Sequence, residues 1–299
     1  MKSRLAIFLA LALVTISPAQ AVTKIVVPPL TISAINPNLT INFTGGDQVS
    51  QLLTTATNIL LVGTIESSTS SLISATALGG SDGFIEALNT HGAKLWDLRL
   101  GSSGDDVATS GYVDTLGNIW VAGASATSTS AATPALGFNQ IVVWEVSPAG
   151  LLENTFTKDL TNVNIPTSIG ASGANLIIRG ISSLANQPTF TLSLTSLGQF
   201  GSVKTGSTIP VKGPLVYSAI SSAYNWQSYV AKRPIKGVIG IPLHRSTTVL
   251  LKSSLKNQVL KGAYSLQGTP LSVQFRIGIG VLCLSGNSHG YFITIIHTK

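Results

Sequence analysis

GSSGDDVATSGYVDTLGNIWVAGAS, residues 101–125, carries two turn signals and two strand signals in one short run. Gly104-Asp105-Asp106 reads as a turn, because aspartate carboxylates accept hydrogen bonds from nearby backbone N–H groups. VATSGYVD and NIWVAGAS read as strands, rich in β-branched and aromatic residues. Between them, Asp114-Thr115-Leu116-Gly117-Asn118 predicts a hairpin. Gly117 can take a positive φ there, and Asp114 can cap the turn with its own side chain.

The pattern recurs on both sides, and self-similarity at a fixed period is the mark of a repeat architecture. One unit runs through TNILLVGTIESS and SDGFIEALNTHGAKLWDLRLG. A second runs through GNIWVAGASATS and FNQIVVWEVSPAGLLENTFTKDL, and a third through ANLIIRGISS and QPTFTLSLTSLGQFGSVKTG. Gly63, Gly123 and Gly180 mark equivalent strand ends, 60 and 57 residues apart. Gly92, Gly150 and Gly198 mark equivalent turns, 58 and 48 residues apart.

Each unit predicts four strands. In the second copy they are VATSGYVD, NIWVAGAS, QIVVWEVS and LLENTFTKDL, the last two joined by the turn Ser147-Pro148-Ala149-Gly150. The loops between second and third strands, ESSTSSLISATALGG and SATSTSAATPALG, are long and of low complexity, as surface loops are. Four antiparallel strands per repeat, repeated radially, describe an all-β, β-propeller-like array of four-stranded blades.

The run also resembles a known family, the bacterial SBBP-type β-propeller repeat. The matching residues are Gly101, Ser102, Gly104, Asp105, Asp106, Asp114, Gly117, Asn118, Trp120, Val121 and Gly123. The match is clear over 81–125 and weaker over 47–210, where TNVNIPTSIG replaces the acidic turn. The resemblance implies a propeller fold and an exported setting; it brings no catalytic residues with it.

Four regions follow. Residues 1–21 read as a secretory signal peptide, with Lys2 and Arg4 before the apolar run Leu5–Ile16 and an Ala19-x-Ala21 cleavage site. Residues 22–46 are an N-terminal extended segment, able to lend a closing strand, and 47–214 hold the propeller-like repeats. Residues 215–299 form a basic C-terminal β region, either extra blades or a small separate β domain. The expected location is secreted, extracellular or at the cell envelope. No apolar run after the leader reaches the roughly 18 residues of a membrane helix.

Only 10% of the 299 residues are charged and 44% are hydrophobic, so the chain is neither disordered nor heavily solvated. Charge is split along it. Residues 22–159 hold four Lys and Arg against eleven acids, a difference of −7. Residues 160–299 hold twelve Lys and Arg and no acid. A basic half attracts anionic partners if its charges share a face. Two opposed halves can also offset each other or drive self-association. The expected partners are an anionic envelope polymer, a glycan or another envelope protein, with nucleic acid the least expected anion in an exported chain without a nucleic-acid motif.

Catalytic signatures are few. No H-E-x-x-H pair, G-x-S-x-G elbow or G-x-x-x-x-G-K-S/T loop occurs. Asp105 and Asp106 are adjacent on a turn, which suits capping better than a glycosidase pair at defined separation. No cofactor is expected, with calcium at Asp105, Asp106 or Asp114 the one metal left open. Trp96, Trp120 and Trp144 fall in repeat strands and predict packing between blades. Tyr224, Trp226 and Tyr229, with Lys232 and Arg233, are the candidate aromatic and basic ligand-binding patch. Cys283, the single cysteine, predicts a buried small hydrophobe. The leading expectation is a non-catalytic binding or scaffold module. The alternatives are a secreted carbohydrate-active enzyme with its site at the propeller mouth, and a self-associating structural module.

Overall fold

The computed structural model of the protein describes residues 28–42, 47–66, 73–126, 137–207, 217–240, 247–287 and 290–297. The leader expected at 1–21 lies outside them. Every regular element among the described residues is a strand. Three short ones come first: β1 (Leu30–Thr31), β2 (Ser33–Ala34) and β3 (Leu39–Asn42). Sheet 1 follows as β4 (Gln48–Thr54), β5 (Asn58–Ile65), β6 (Asp82–Asn89) and β7 (Lys94–Leu100). Sheet 2 is β8 (Asp106–Val113), β9 (Ile119–Ser125), β10 (Gln140–Val146) and β11 (Leu152–Asp159). Sheet 3 is β12 (Asn164–Ser172), β13 (Asn175–Ser182), β14 (Thr189–Leu194) and β15 (Lys204–Gly206). All three are antiparallel meanders in chain order.

The basic C-terminal region builds two more sheets. Sheet 4 contains β16 (Tyr217–Ile220) and β17 (Tyr224–Ala231), then, after β18 (Val238–Ile239), β19 (Thr247–Ser254) and β20 (Leu260–Leu266). Sheet 5 contains β21 (Thr269–Arg276), β22 (Gly280–Asn287) and β23 (Gly290–Ile296). Sheet 5 has only three strands of its own, and β3 supplies the fourth, with Ile41 opposite Tyr291. β2 adds a parallel fifth strand to sheet 4, and β1 pairs with β18. The N-terminal segment therefore stitches together the two last sheets before the chain enters the first. A propeller-like array uses such a strand to tie its end to its beginning.

Core packing runs between sheets. Phe84, Leu52 and Leu61 of sheet 1 meet Leu282, Leu284 and Ile293 of sheet 5 in one buried cluster. Leu60 and Ile85 of sheet 1 meet Val121 and Trp144 of sheet 2 in a second. Val143 of sheet 2 meets Ile178, Phe190 and Leu192 of sheet 3 in a third. Trp226 and Leu250 of sheet 4 meet Val281 and Cys283 of sheet 5 in a fourth. The packed order is thus 4-5-1-2-3. Among the described residues no such cluster joins sheets 3 and 4. The free face of sheet 4 is covered instead by Leu30, Ile32 and Val238 against Leu251 and Ala263.

Two glycine classes explain why the repeat is visible. Gly63, Gly123 and Gly180 lie inside second strands rather than at their ends. Each sits opposite a bulge in the first strand of its sheet, at Val49/Gln51, Ala108/Ser110 and Pro166/Ser168. A Cβ at Gly123 would strike the Val107 carbonyl and come within 2.7 Å of the Trp144 ring. Gly63 and Gly180 stand in the same relation to Phe84 and Phe190. The aromatic ring fills the space a side chain would take, and the bulge brings the neighbouring backbone too close for any other residue. Gly92, Gly150 and Gly198 occupy the outer hairpins with φ of 89°, 84° and 75°. Each donates its N–H to the carbonyl three residues back, on Asn89, Ser147 and Thr195. The left-handed conformation closes these turns, and glycine adopts it without a Cβ penalty.

Candidate functional site

The array has two ends. At one, first strands begin and second strands finish; this is the mouth. At the other lie the hairpins that join first to second strands and third to fourth strands.

Strand β8 divides the candidate aspartates between these ends. Asp106, fully buried, begins the strand at the mouth end. Its Oδ2 accepts hydrogen bonds from the Ser102 N–H at 2.7 Å and the Ser102 hydroxyl at 2.9 Å. Burial pushes its carboxyl up, against the pull of those bonds. Asp105 is exposed, and its Oδ1 accepts the Ser81 N–H at 3.0 Å. Asp114 lies past the other end of the strand. Its Oδ1 accepts the N–H groups of Leu116 and Asn118, at 2.8 and 2.9 Å, and its Oδ2 accepts the Trp120 indole N–H at 3.1 Å. A strand of this length separates Asp106 from Asp114 by about 25 Å, so these aspartates do not share one ion site. Among the described residues no group of three or more His, Cys, Asp and Glu comes together as a metal site.

The aromatic and basic candidates are divided too. Trp226 is 1% exposed, inside the cluster between sheets 4 and 5. Tyr224 shares its face of β17, while Tyr229, an odd number of residues on, packs on the opposite face against β1 and β18. Burial pushes the Tyr229 phenol up. Lys232 and Arg233 are exposed beyond the far end of β17. The cation that does meet the aromatics is Lys252 from the neighbouring strand. Its Nζ lies 3.9 Å from the Tyr224 ring centre and 5.2 Å from that of Trp226. No local pattern reveals Lys252, because the pairing of β17 with β19 brings it there.

The mouth itself holds a cavity of about 680 Å³. Its lining includes Gln48 and Ser50 of β4, Thr64 and Glu66 at the end of β5, Thr109 of β8 and Tyr291 of β23. Side chains pin the inner strands around it. Ser50 Oγ donates to the Ala108 carbonyl at 3.0 Å, and the Gln51 side-chain carbonyl accepts the Gly111 N–H at 2.7 Å. Asp47 Oδ1 accepts the Glu66 N–H at 3.2 Å and fixes the backbone beneath that carboxylate.

All eleven carboxylates lie among the described residues, and Glu66 is the one that lines this cavity. Most of the others serve turns or pair locally. Asp82 binds Arg99, Asp159 accepts from Gln140, and Glu145 accepts from Asn154. The exception is a cross-strand pair, Glu86 of β6 opposite Asp97 of β7. Burial pushes the Glu86 carboxyl up to about 7, although the Lys94 ammonium 3.9 Å away favours its ionised form. At Asp97 burial also opposes ionisation. The Lys94 ammonium at 2.8 Å and the Ser74 hydroxyl and N–H outweigh it, and the carboxyl is held down at about 2. The Glu86 side chain borders a smaller cavity of about 290 Å³ beneath β3, away from the mouth.

The late basic residues fall at both ends. Lys232, Arg233 and Lys236 follow β17 at the mouth end, whereas Lys252, Lys256, Lys261 and Arg276 gather toward the hairpin end. No helix among the described residues is long and apolar enough to cross a membrane.

No protein-family model matches the chain, the SBBP-type repeat included, and no curated protein matches it. Solved structures do resemble it. One is a protein of unknown function from Bacteroides caccae, with 11% identity and a TM-score of 0.37, over 82% of this chain and 73% of that one. A second is the GH43B protein of the Bacteroides ovatus xyloglucan locus, with 13% identity and a TM-score of 0.36, over 87% of this chain and 55% of that one. A third is a xylan β-1,4-xylosidase from Bacillus halodurans, with 14% identity and a TM-score of 0.34, over 86% of this chain and 45% of that one. The chain spans about half the length of the last two.

Proposed function

We propose that the chain is an exported, non-catalytic binding module of the SBBP-repeat kind, which takes a neutral polyhydroxylated ligand of the glycan class at its mouth. The carrying observation is the lining of the mouth cavity. Hydroxyls and the Gln48 amide stand there beside apolar side chains such as Val107, Phe138 and Leu271, and only one of the eleven carboxylates joins them. Glycoside hydrolysis needs two carboxyl groups flanking the scissile bond. Hydroxyls and an amide set among apolar side chains suit a sugar, which offers many weak hydrogen bonds and apolar C–H faces, and the volume lies in the range of small-ligand sites. The leader-like residues 1–21 support export. The repeat residues of Gly101–Gly123 support the SBBP reading, which rests on them alone.

The test pairs binding with turnover. The protein is presented to an array of neutral and acidic glycans, and hits are measured by calorimetry. Chromogenic glycosides of the same sugars are incubated alongside. Binding to neutral glycans that weakens in Thr109→Val, with no release of chromophore, is the expected result. Turnover that disappears in Glu66→Gln sinks the non-catalytic reading in favour of an enzyme. Silence across the array sinks the glycan assignment.

A further inference from the structure

The hairpin end carries a feature that the mouth does not explain. The most exposed large aliphatics among the described residues are Leu116, Leu151, Leu197, Ile220 and Ile277, at 65–84% exposure. All five sit at or beside hairpins of this one end. Leu116 lies in the β8–β9 turn, Leu151 in the β10–β11 turn and Leu197 in the β14–β15 turn. Ile220 ends β16, and Ile277 follows β21. Single exposed aliphatics are normal on a protein surface, but their collection at one end of five sheets is not random scatter.

Three of them border two adjoining cavities. Ile220 and Ile277 border a cavity of about 940 Å³ that also holds Tyr224 and Arg276. Leu116 borders an adjoining cavity that shares Ala56 and Arg276 with the first. Arg276 is held in place by its Nε–H, which donates to the Thr55 carbonyl at 3.0 Å. Lys252 stands over Tyr224, and Lys256 and Lys261 are exposed at the next hairpin. Sheets 4 and 5 contain no acid. The acids toward this end, Asp114, Glu145 and Glu153, belong to sheet 2. Asp114 is taken up by its own turn, and Glu145 by Asn154.

We infer that this end docks onto an anionic lipid bilayer, with aliphatic tips entering the interface and the cations of sheets 4 and 5 meeting the headgroups. Two features favour lipid. The aliphatics stand on five separate hairpins of four sheets, spread over this end rather than gathered on one element as at the core of a protein interface. A fluid interface accepts separate pegs without shape complementarity. The cations beside them complement the negative surface of an anionic leaflet. The mouth then faces away from the membrane. The inference is independent of what the mouth binds.

Site-resolved labelling tests it. Cys283 is buried, with its thiol pushed up to about 12, so an introduced cysteine takes the label alone. The polarity-sensitive dye NBD is attached to the full chain at Leu116→Cys, at Ile277→Cys or, at the mouth end, at Leu78→Cys. Vesicles are phosphatidylcholine with 30 mol% phosphatidylglycerol (on the order of a bacterial or cytoplasmic leaflet), or phosphatidylcholine alone. The expected result is a blue shift at both tips with anionic vesicles only, and none at position 78. A label reports its own surroundings, so adsorption through Leu5–Ile16 leaves the tips unshifted. Lys256→Gln and Lys261→Gln should each weaken the vesicle partition about fivefold. Tips blind to anionic vesicles overturn the inference and leave a protein-facing surface. An equal shift with phosphatidylcholine alone, an equal shift at position 78, or an unchanged partition in both lysine variants overturns it as well.

Discussion

Arg99 Nη1 and Asp82 Oδ2 meet at 2.8 Å with both side chains buried. The pair does more than neutralise itself. Arg99 Nε–H donates to the Ala75 carbonyl at 2.9 Å, and Asp82 Oδ2 accepts the Leu78 N–H at 3.0 Å. Two charges inside sheet 1 thereby hold the segment that leads from β5 back into β6 at the mouth end.

The first prediction follows from the cost of leaving one of these charges alone. A buried pair contributes little net stability, but an orphaned buried charge is expensive. Arg99→Met should lower unfolding free energy by about 4 kcal/mol in urea. Adding Asp82→Leu should recover more than half of that loss. If the double variant is no better than the single one, the pair is not the coupled unit its geometry indicates.

The second prediction separates glycines that look alike in sequence. Gly123→Ala would push a Cβ into the Val107 carbonyl and the Trp144 ring, and should destabilise by about 3 kcal/mol or abolish folding. Gly170→Ala, also on a strand, meets nothing within 4 Å and should change stability by less than about 0.5 kcal/mol. Thermal melts of the two variants decide this, and equal losses would refute the close-approach account.

The same contrast explains why the fold is legible in one part of the sequence and not in another. In sheets 1 to 3 the bulge demands Gly63, Gly123 and Gly180, and the outer turn demands Gly92, Gly150 and Gly198. The repeat was therefore visible as two series of glycines. In sheet 5 Ser285 stands opposite the Pro270/Ser272 bulge, and in sheet 4 the bulge moves to β19–β20. The backbone solution persists there while its residue signature is lost. The Glu86 site was invisible for another reason. Its burial involves β3, which reaches the neighbourhood of sheet 1 only because Leu39–Asn42 pairs with Gly290–Ile293 at the far end of the chain. Local spacing carries no record of that closure. The patch around Tyr224 failed by strand parity, since Tyr229 must point the opposite way.

The third prediction concerns pH. The Glu86 carboxyl is raised from 4.5 to about 7 in the folded chain. The folded state therefore holds a proton that the unfolded state releases, and the associated stability is complete below pH 4.5 and is lost as pH rises toward 7. The full span is worth roughly 3 kcal/mol. Asp97, lowered from 3.8 to about 2, works the other way, with its stability present above 3.8 and lost as pH falls toward 2. Glu86→Gln should match the parent chain near pH 4 and exceed it at pH 8, when urea midpoints are compared. A variant with the parent's slope between pH 4.5 and 7 would exclude Glu86 as its source.

The last prediction joins the N-terminal closure to the single thiol. Cys283 sits on β22, the second strand of sheet 5, against the cluster shared with sheet 4. Burial pushes its thiol up to about 12, so at pH 8 only roughly one molecule in ten thousand carries a thiolate, and reagent cannot reach it. Labelling must wait for sheet 5 to open. The outer edge of that sheet is sealed where Asn38 donates its N–H to the Ile293 carbonyl at 2.8 Å, while its side-chain oxygen accepts the Ile295 N–H at 2.7 Å. Asn38→Ala removes the second bond and leaves a strand N–H unpaired, at a cost of about 1 kcal/mol. If peeling of β3 is the opening that admits reagent, thiol labelling by dithionitrobenzoate at pH 8 should accelerate about fivefold in this variant. The parent's rate in Asn38→Ala would mean that Cys283 is reached by another route, through the sheet 4 side of the cluster, and that β3 does not gate it.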